Sequence, residues 1–380
     1  MKIYGIRFDR NELAGAFGDI GTDLPLIIGM ILASGVDAAS VLIVFGLMQV
    51  FSALVYRIPM PVQPLKAVAT IVIAEKIAGP VIYGAGMAIG VVMLIFTITG
   101  LIDWLARVIP KAVIRGIQFG LGAKLSLLAL TNYVQAEAFF GYLLAGLAFI
   151  ITVILLGNRK YPPAIFVILI GLIYAFTFTL DFDVLKNSFG LAFPQIHSPT
   201  WRDILQGFLL LGLPQIPLSL GNSIFATRQL ASDLFPEKKV TIRKIGTTYS
   251  IMNLLVPFTS GVPVCHGSGG IAGHFAFGAR TGGSVVLYGF LYLLIGLFFS
   301  VGFKEIIEIF PLPILGVILL FEGLVLMRLI EDTVQQRSEL AIALLVGVIA
   351  VGLPYGFLIG IVIGTAIYYG SKKYPIGFNK

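Results

Sequence analysis

The chain has 380 residues, 58% of them hydrophobic and only 12% charged, with a formal net charge of +7 and a mean hydropathy of +0.98. A soluble domain keeps roughly a quarter of its residues charged, so this composition excludes a water-soluble globular protein and points to an all-α polytopic membrane protein. The single cysteine, Cys265, excludes an intramolecular disulfide framework and a multi-cysteine metal site.

Apolar runs bounded by Gly, Pro and charged residues place spans near 13–33, 38–56, 64–79, 83–106, 112–130, 138–157 and 162–180. After a more polar stretch at 181–203, further spans are expected near 204–227, 244–259, 266–278, 283–302, 311–330, 339–352 and 355–370. The first hydrophobic segment contains Asp19 and Asp23 and runs on into structure, unlike the plain apolar core of a cleaved leader. The interval 339–370 is divided at Leu353-Pro354-Tyr355-Gly356, because one helix of that length would reach about 48 Å against a hydrocarbon core of about 30 Å.

With the N-terminus in the cytoplasm, twenty of the 26 Lys and Arg residues fall in cytoplasmic segments. That bias is the positive-inside pattern. The basic balance therefore reflects topology, and no nucleic-acid partner is expected. Both termini are expected to be cytoplasmic, in a multi-pass protein of the cell membrane.

Seven spans stand on each side of the polar stretch, so a second copy of the unit enters the membrane inverted, with residues 1–180 as one repeat and 203–372 as the other. Inverted repeats hold substrate near the midplane where the copies meet. Ile58-Pro59-Met60-Pro61-Val62-Gln63 before the third span is echoed by Gly261-Val262-Pro263-Val264-Cys265-His266 before the tenth.

Both echoing segments are irregular at membrane depth, which is tolerated only inside protein or along a cavity. Alternating Pro59, Pro61 and Pro64 favour extended backbone, and Pro64 permits a helix start. His266-Gly267-Ser268-Gly269-Gly270 reads as a glycine-rich helix start. Two half-helices whose N-termini converge offer unpaired N–H groups and two positive dipole ends, an anion site. Gln63, His266 and Ser268 add donors, Lys66 adds a full positive charge, and Gly267 and Gly269 allow close approach to the backbone. Tight helix packing is the competing role for these glycines and prolines.

In the first span, the cost of intramembrane carboxylates requires Asp19 and Asp23 to face a cavity or a partner. Asp19 is a candidate to carry a coupling proton or fix Lys66, and Thr22 to reach substrate, while Asp23 reads mainly as a helix cap. In the eighth span, Pro214 and Pro217 are expected to break the helix. Gln215, Asn222 and Ser223 are candidate lining groups there, with interhelical hydrogen bonding as an equal alternative. Glu322 is a candidate to titrate or to pair with Arg115 or Lys124, and His197 and His274 read as loop or interfacial residues. No metal, cofactor or nucleotide-binding loop is expected, so transport is expected to run on a gradient.

The segments Pro59-Met60-Pro61-Val62-Gln63-Pro64-Leu65-Lys66-Ala67-Val68-Ala69 and Pro263-Val264-Cys265-His266-Gly267-Ser268-Gly269-Gly270-Ile271-Ala272 resemble the two signatures of the molybdate transporter family, relatives of the SulP sulfate permeases. Phe277-Gly278-Ala279-Arg280-Thr281-Gly282 continues the second, and Glu12-Leu13-Ala14-Gly15-Ala16-Phe17-Gly18-Asp19-Ile20-Gly21-Thr22 is similar to the family's opening helix. Leu65 stands where Met is expected and Ser268 where Ala is expected, the latter adding a hydroxyl at the site.

The resemblance implies one membrane unit over 1–380 with the fourteen-span, 7+7 inverted repeat of the uracil permeases. Core spans would lie within 13–106 and 204–302, and gate spans within 112–180 and 311–370. It implies a secondary transporter of molybdate or a related oxyanion, coupled to protons or sodium, seated in the lipid bilayer and often a homodimer. Sulfate or general oxyanion transport, nucleobase–proton symport and an anion channel are the alternatives. A nucleobase site would want a carboxylate near the second half-helix, and residues 261–275 contain none. An enzyme is the least expected class, because no nucleophile–base pair stands out.

Overall fold

The computed structural model describes residues 2–3, 5–156, 163–179, 189–300 and 311–373. Among them, helices carry the fold and two short antiparallel ladders interrupt it. A small hairpin, β1 (Lys2–Ile3) and β2 (Ile6–Arg7), leads into α1 (Arg10–Ala16), α2 (Ile20–Ser34) and α3 (Ala38–Tyr56). Strand β3 (Val62–Pro64) and the short helix α4 (Lys66–Glu75) follow. Then come α5 (Gly79–Thr99), α6 (Leu101–Val108), α7 (Lys111–Leu128), α8 (Ala138–Ile154) and α9 (Pro163–Tyr174). The second half holds α10 (Trp201–Leu234), α11 (Ile242–Leu255), β4 (Val264–His266), the short α12 (Ser268–Ala276) and α13 (Gly283–Phe298). It ends with α14 (Leu312–Arg328), α15 (Arg337–Gly352) and α16 (Gly356–Lys373).

Helices occupy every interval that the sequence assigns to a span. Among the described residues, five are long and apolar enough to cross a membrane: α3, α5, α7 with its following π turn, α10, and α14 with its following 3-10 turn. Apolar helices of 10–17 residues lie at Asp23–Ser34, Ala138–Ile154, Phe166–Phe178, Gly283–Phe298 and Gly356–Lys372. The described part of the expected polar connector, 189–200, carries no helix or strand, and its Gly190 and Ala192 donate to the carbonyls of Phe298 and Leu297 at the end of α13.

Two local expectations are corrected. The helix in the first span does not resume after a cap at Asp23: the chain breaks earlier, between α1 and α2 at Phe17-Gly18-Asp19, where Gly18 and Gly273 meet backbone to backbone, too closely for any side chain, and Asp23 lies in the first turn of α2. The eighth span is not broken. It stays helical from 201 to 234 by alternating α-helical and π-helical stretches, with π segments at Phe208–Gly212 and Ser219–Ala226 on either side of Pro214 and Pro217. A wider turn absorbs the missing N–H and the ring of proline without ending the helix.

Packing follows two groupings. In one, α3 lies along α13, and α5 along α10 and α11; in the other, α7 lies along α14 and α15. Gly46 of α3 faces the carbonyl of Gly289 in α13 and Gly289 faces that of Gly46, so only glycine permits this backbone approach. The short helix α4 touches both groupings, through α2 and through α7.

Candidate functional site

The site is organised by the ladder between β3 and β4, two segments about 200 residues apart in sequence. The strands pair antiparallel with Val62 opposite His266, Gln63 opposite Cys265 and Pro64 opposite Val264. Helix α4 starts at Lys66 and α12 at Ser268, so the spacing from Gln63 to Cys265 equals that from Lys66 to Ser268. The ladder is therefore symmetric about its central pair.

Proline-rich strands lack donors, and burial removes water, so the polar backbone here needs side-chain partners. A single amide supplies them on each side. Gln49 of α3 donates to the Val62 carbonyl at 2.6 Å and accepts the Val62 N–H at 2.8 Å. Asn253 of α11 donates to the Val264 carbonyl at 2.7 Å and accepts the Val264 N–H at 3.0 Å. Ser52 adds a hydrogen bond to the Met60 carbonyl at 2.6 Å.

Each short helix leaves its strand through an extended cap residue without a side-chain cap of its own, Leu65 for α4 and Gly267 for α12. The two N-termini are not equivalent. At α4, the N–H of Ala67 donates to Gln215 Oε1 at 2.9 Å, with Val68 at 3.4 Å. Gln215 in turn donates to Ser219, whose hydroxyl meets Tyr249 at 2.7 Å. Thus α10 caps α4. At α12, no hydrogen bond from the Gly269 N–H is found among the described residues, whereas Gly270 is buried against Asp19, Pro61 and Gln63. A Cβ built on Gly269 would meet no atom within 4 Å, and Gly269 is exposed beside half-buried Ser268.

The structure gathers the sequence-derived residues around this ladder, in different settings. Ser268 donates to Asn222 Oδ1 at 3.1 Å, which places both at the open side. Lys66, half-buried in the first turn of α4, lies within electrostatic reach of Asp23 and Cys265. Gln63 is buried, with its NH2 on both Asp19 oxygens at 2.9 and 2.7 Å, and its Oε1 packs so tightly on Gly267 that no side chain fits there. Ser223 is buried within reach of the Cys265 thiol. His266 is fully buried on the far side, 2.9 Å from the Thr248 hydroxyl and edge-on to Tyr56 at 5.1 Å. The backbone of Thr22 belongs to α2, but its side chain lies outside the described residues, as does that of Glu322. Arg115 and Lys124 pair with Asp332 and Glu75. His274, expected in a loop or interface, is instead fully buried within α12, because close contacts of Gly15 and Gly18 bring α1 and the turn after it over this helix.

Sequence reasoning gave no role to Gln49, Ser52, Asn253 and the anchor Glu12. Glu12 is buried and accepts the N–H groups of Arg280, Thr281 and Ser284 at 3.0, 2.8 and 2.9 Å, tying α1 to the start of α13. A polar residue inside an apolar helix was the available signal for Gln49 and Asn253. Among the described residues, no group of three His, Cys, Asp or Glu side chains is placed to hold a metal ion.

This architecture has solved counterparts. The transmembrane domain of the cyanobacterial bicarbonate transporter BicA superposes with a TM-score of 0.65, at 17% identity over 92% of this chain and 99% of that one. Murine Slc26a9, an anion transporter in the inward-facing state, superposes with a TM-score of 0.69, at 13% identity over 98% of this chain and 69% of that one. The fold is thus that of a multi-pass membrane protein of the SLC26/SulP kind.

A family profile described as "Molybdate transporter of MFS superfamily" matches residues 11–125 and 207–326, spanning both halves of the ladder. Molybdate transporter 1 of Arabidopsis thaliana is 30% identical over 95% of this chain and 90% of its own. Molybdate transporter 2 of the same plant is 33% identical over 85% and 79%. The chain belongs to the molybdate transporter family, a family of transporters and not of enzymes.

Proposed function

We propose that the protein is a secondary active transporter of a small tetrahedral oxyanion, molybdate first among them. The observation that carries this reading is the open N-terminus of α12. Gly269, at the first turn of this helix, faces empty space beside Ser268 and Asn222, with Lys66 heading the opposite half-helix. Backbone donors at a helix start, a hydroxyl and an ammonium suit a tetrahedral dianion. The names of the relatives supply molybdate as the cargo.

The architecture proposed for transport is a fourteen-span, 7+7 inverted repeat, residues 1–180 and 203–372, arranged as in uracil permeases. In this reading α1–α6 with α10–α13 form the moving core, and α7–α9 with α14–α16 the gate. Both termini face the cytoplasm of a cell-membrane protein. The equal spacing of strands and short helices in the two halves supports the repeat. Sliding of the core against the gate exposes the space beside Gly269 to each side in turn.

Titration of the purified chain with molybdate, repeated with sulfate and uracil as competitors, tests the substrate. Tight molybdate binding barely displaced by excess sulfate is expected. Equal competition by sulfate would make the protein a general oxyanion carrier, and uracil binding without molybdate binding would overturn the anion reading.

A further inference from the structure

Behind the anion site, α2, α12 and α13 enclose a polar group that the oxyanion does not touch. Asp23, which the sequence reads as a simple helix cap, is 0% exposed in the first turn of α2. Its Oδ2 accepts the Tyr288 hydroxyl at 3.2 Å, and Tyr288 meets the Tyr292 hydroxyl at 3.1 Å. Its Oδ1 is buried and, among the described residues, accepts from no donor. The groups facing Asp23 are Asp19 one turn earlier, Lys66 from α4, Cys265 from β4, and Tyr288 and Tyr292 from α13. Buried His274 of α12 lies edge-on to Tyr288 and is held by Ser284 at 3.0 Å.

We propose that Asp23 is the site of a coupled proton, bound together with the oxyanion and released with it. The inference rests on the oxyanion-carrier reading and deepens it by naming the coupling ion. An ionised carboxylate with one orphaned oxygen in a dry interior is costly unless a cation compensates it. Both oxygens of Asp19 accept from Gln63, hydrogen bonds that favour its carboxylate form. A second negative charge one turn away is then opposed by repulsion.

Lys66 is the cation within reach of Asp23. With the site empty, its charge supports ionised Asp23 together with the Tyr288 hydroxyl. A dianion bound at the start of α4 and α12 draws that charge to itself, and Asp23 then takes a proton from water. The new O–H has Asp19 within hydrogen-bonding reach as its acceptor. The bound state thus carries anion and proton together, and the reciprocity of linked equilibria requires that acid tighten anion binding.

The test is calorimetric titration of the purified full chain with sodium molybdate between pH 6 and 8.5, in buffers of different ionisation enthalpy, to count protons. The expected result is close to one proton taken up per anion, with affinity falling about tenfold per pH unit above the midpoint. Asp23→Asn mimics the protonated group. It is expected to bind molybdate with the wild-type low-pH affinity, a flat pH profile and no proton uptake. Tyr288→Phe removes the donor that supports the ionised form, so its midpoint is expected to move to higher pH with the proton count unchanged. Binding without proton uptake in the wild type, wild-type uptake in Asp23→Asn, or an unmoved midpoint in Tyr288→Phe each overturns the proposal. Absence of molybdate binding at every pH in the wild type is a different result: it defeats the oxyanion reading itself, and the proton falls with it.

Discussion

Gln215 Oε1 accepts the backbone N–H of Ala67 at 2.9 Å, so a side chain of α10 closes the start of α4 while the start of α12 stays open. The two half-helices share a ladder and a spacing, yet only one offers its dipole end to a ligand. An anion held beside Gly269 feels α12 directly and α4 through Lys66 and the oriented amide of Gln215. Side-chain amides are neutral, so this cap satisfies the helix without repelling an anion.

Gln215→Glu is therefore expected to keep the fold and lose the ligand. A carboxylate at a helix start is favoured by the dipole and by the neighbouring Lys66 charge, which offset the cost of burying it at this position and hold the thermal midpoint near wild type. The added negative charge beside Lys66 opposes the dianion, and molybdate affinity should fall at least tenfold. Gln215→Ala reverses the pattern: the orphaned Ala67 N–H costs about 1–3 kcal/mol of stability. Thermal unfolding and molybdate titration of both variants separate the two effects, and unaltered binding in Gln215→Glu would remove Gln215 from the vicinity of the anion.

The neighbouring glycines differ in the same way. A Cβ on Gly267 collides with the Gln63 amide and so displaces the bond to Asp19, whereas a Cβ on Gly269 enters empty space. Gly267→Ala is expected to lower the unfolding midpoint sharply. Gly269→Ala should unfold near the wild-type temperature and bind molybdate several-fold more weakly, because the methyl group occupies the ligand's space. Equal unfolding midpoints for the two would contradict this division of labour.

What was legible in the sequence was local backbone chemistry. Pro59, Pro61 and Pro64 announce extended backbone followed by a helix start, the run from His266 to Gly270 announces a second helix start, and both are found there. What escaped was whatever depends on a distant partner. Gln49 and Asn253 are single amides in apolar helices, and nothing local reveals that each clamps a strand more than ten residues downstream. His274 looks interfacial by residue type, but the backbone contact of Gly18 with Gly273 covers it. The prolines of α10 read as breaks because π-helical turns leave no mark in composition.

Lys124 of α7 pairs with Glu75 at the end of α4, linking the two groupings of helices that are proposed to slide. Both side chains are partly exposed, so the pair contributes at most about 1 kcal/mol to stability. Its effect is expected in transport. Glu75→Lys sets two cations face to face, holds α4 off α7 and should cut molybdate uptake into proteoliposomes, with binding in detergent preserved. Exchanging the charges, with Glu75→Lys and Lys124→Glu together, should restore uptake. A double variant as slow as the single one would show that the pair does not set the approach of the two groupings.

The amide clamps give the last expectation. Gln49 and Asn253 each satisfy one N–H and one carbonyl of a buried strand, and both strands belong to one ladder. Replacing either with leucine leaves two buried backbone groups unpaired, at about 1–3 kcal/mol for each group. Gln49→Leu and Asn253→Leu should therefore lower the unfolding midpoint by similar amounts, although they lie in different halves of the chain. Because each single variant frees a strand that the other clamp still holds through the ladder, the double variant should lose more than the sum of the singles. Strictly additive losses would mean that the two halves of the ladder are held independently, and that the central Gln63–Cys265 pair transmits nothing between them.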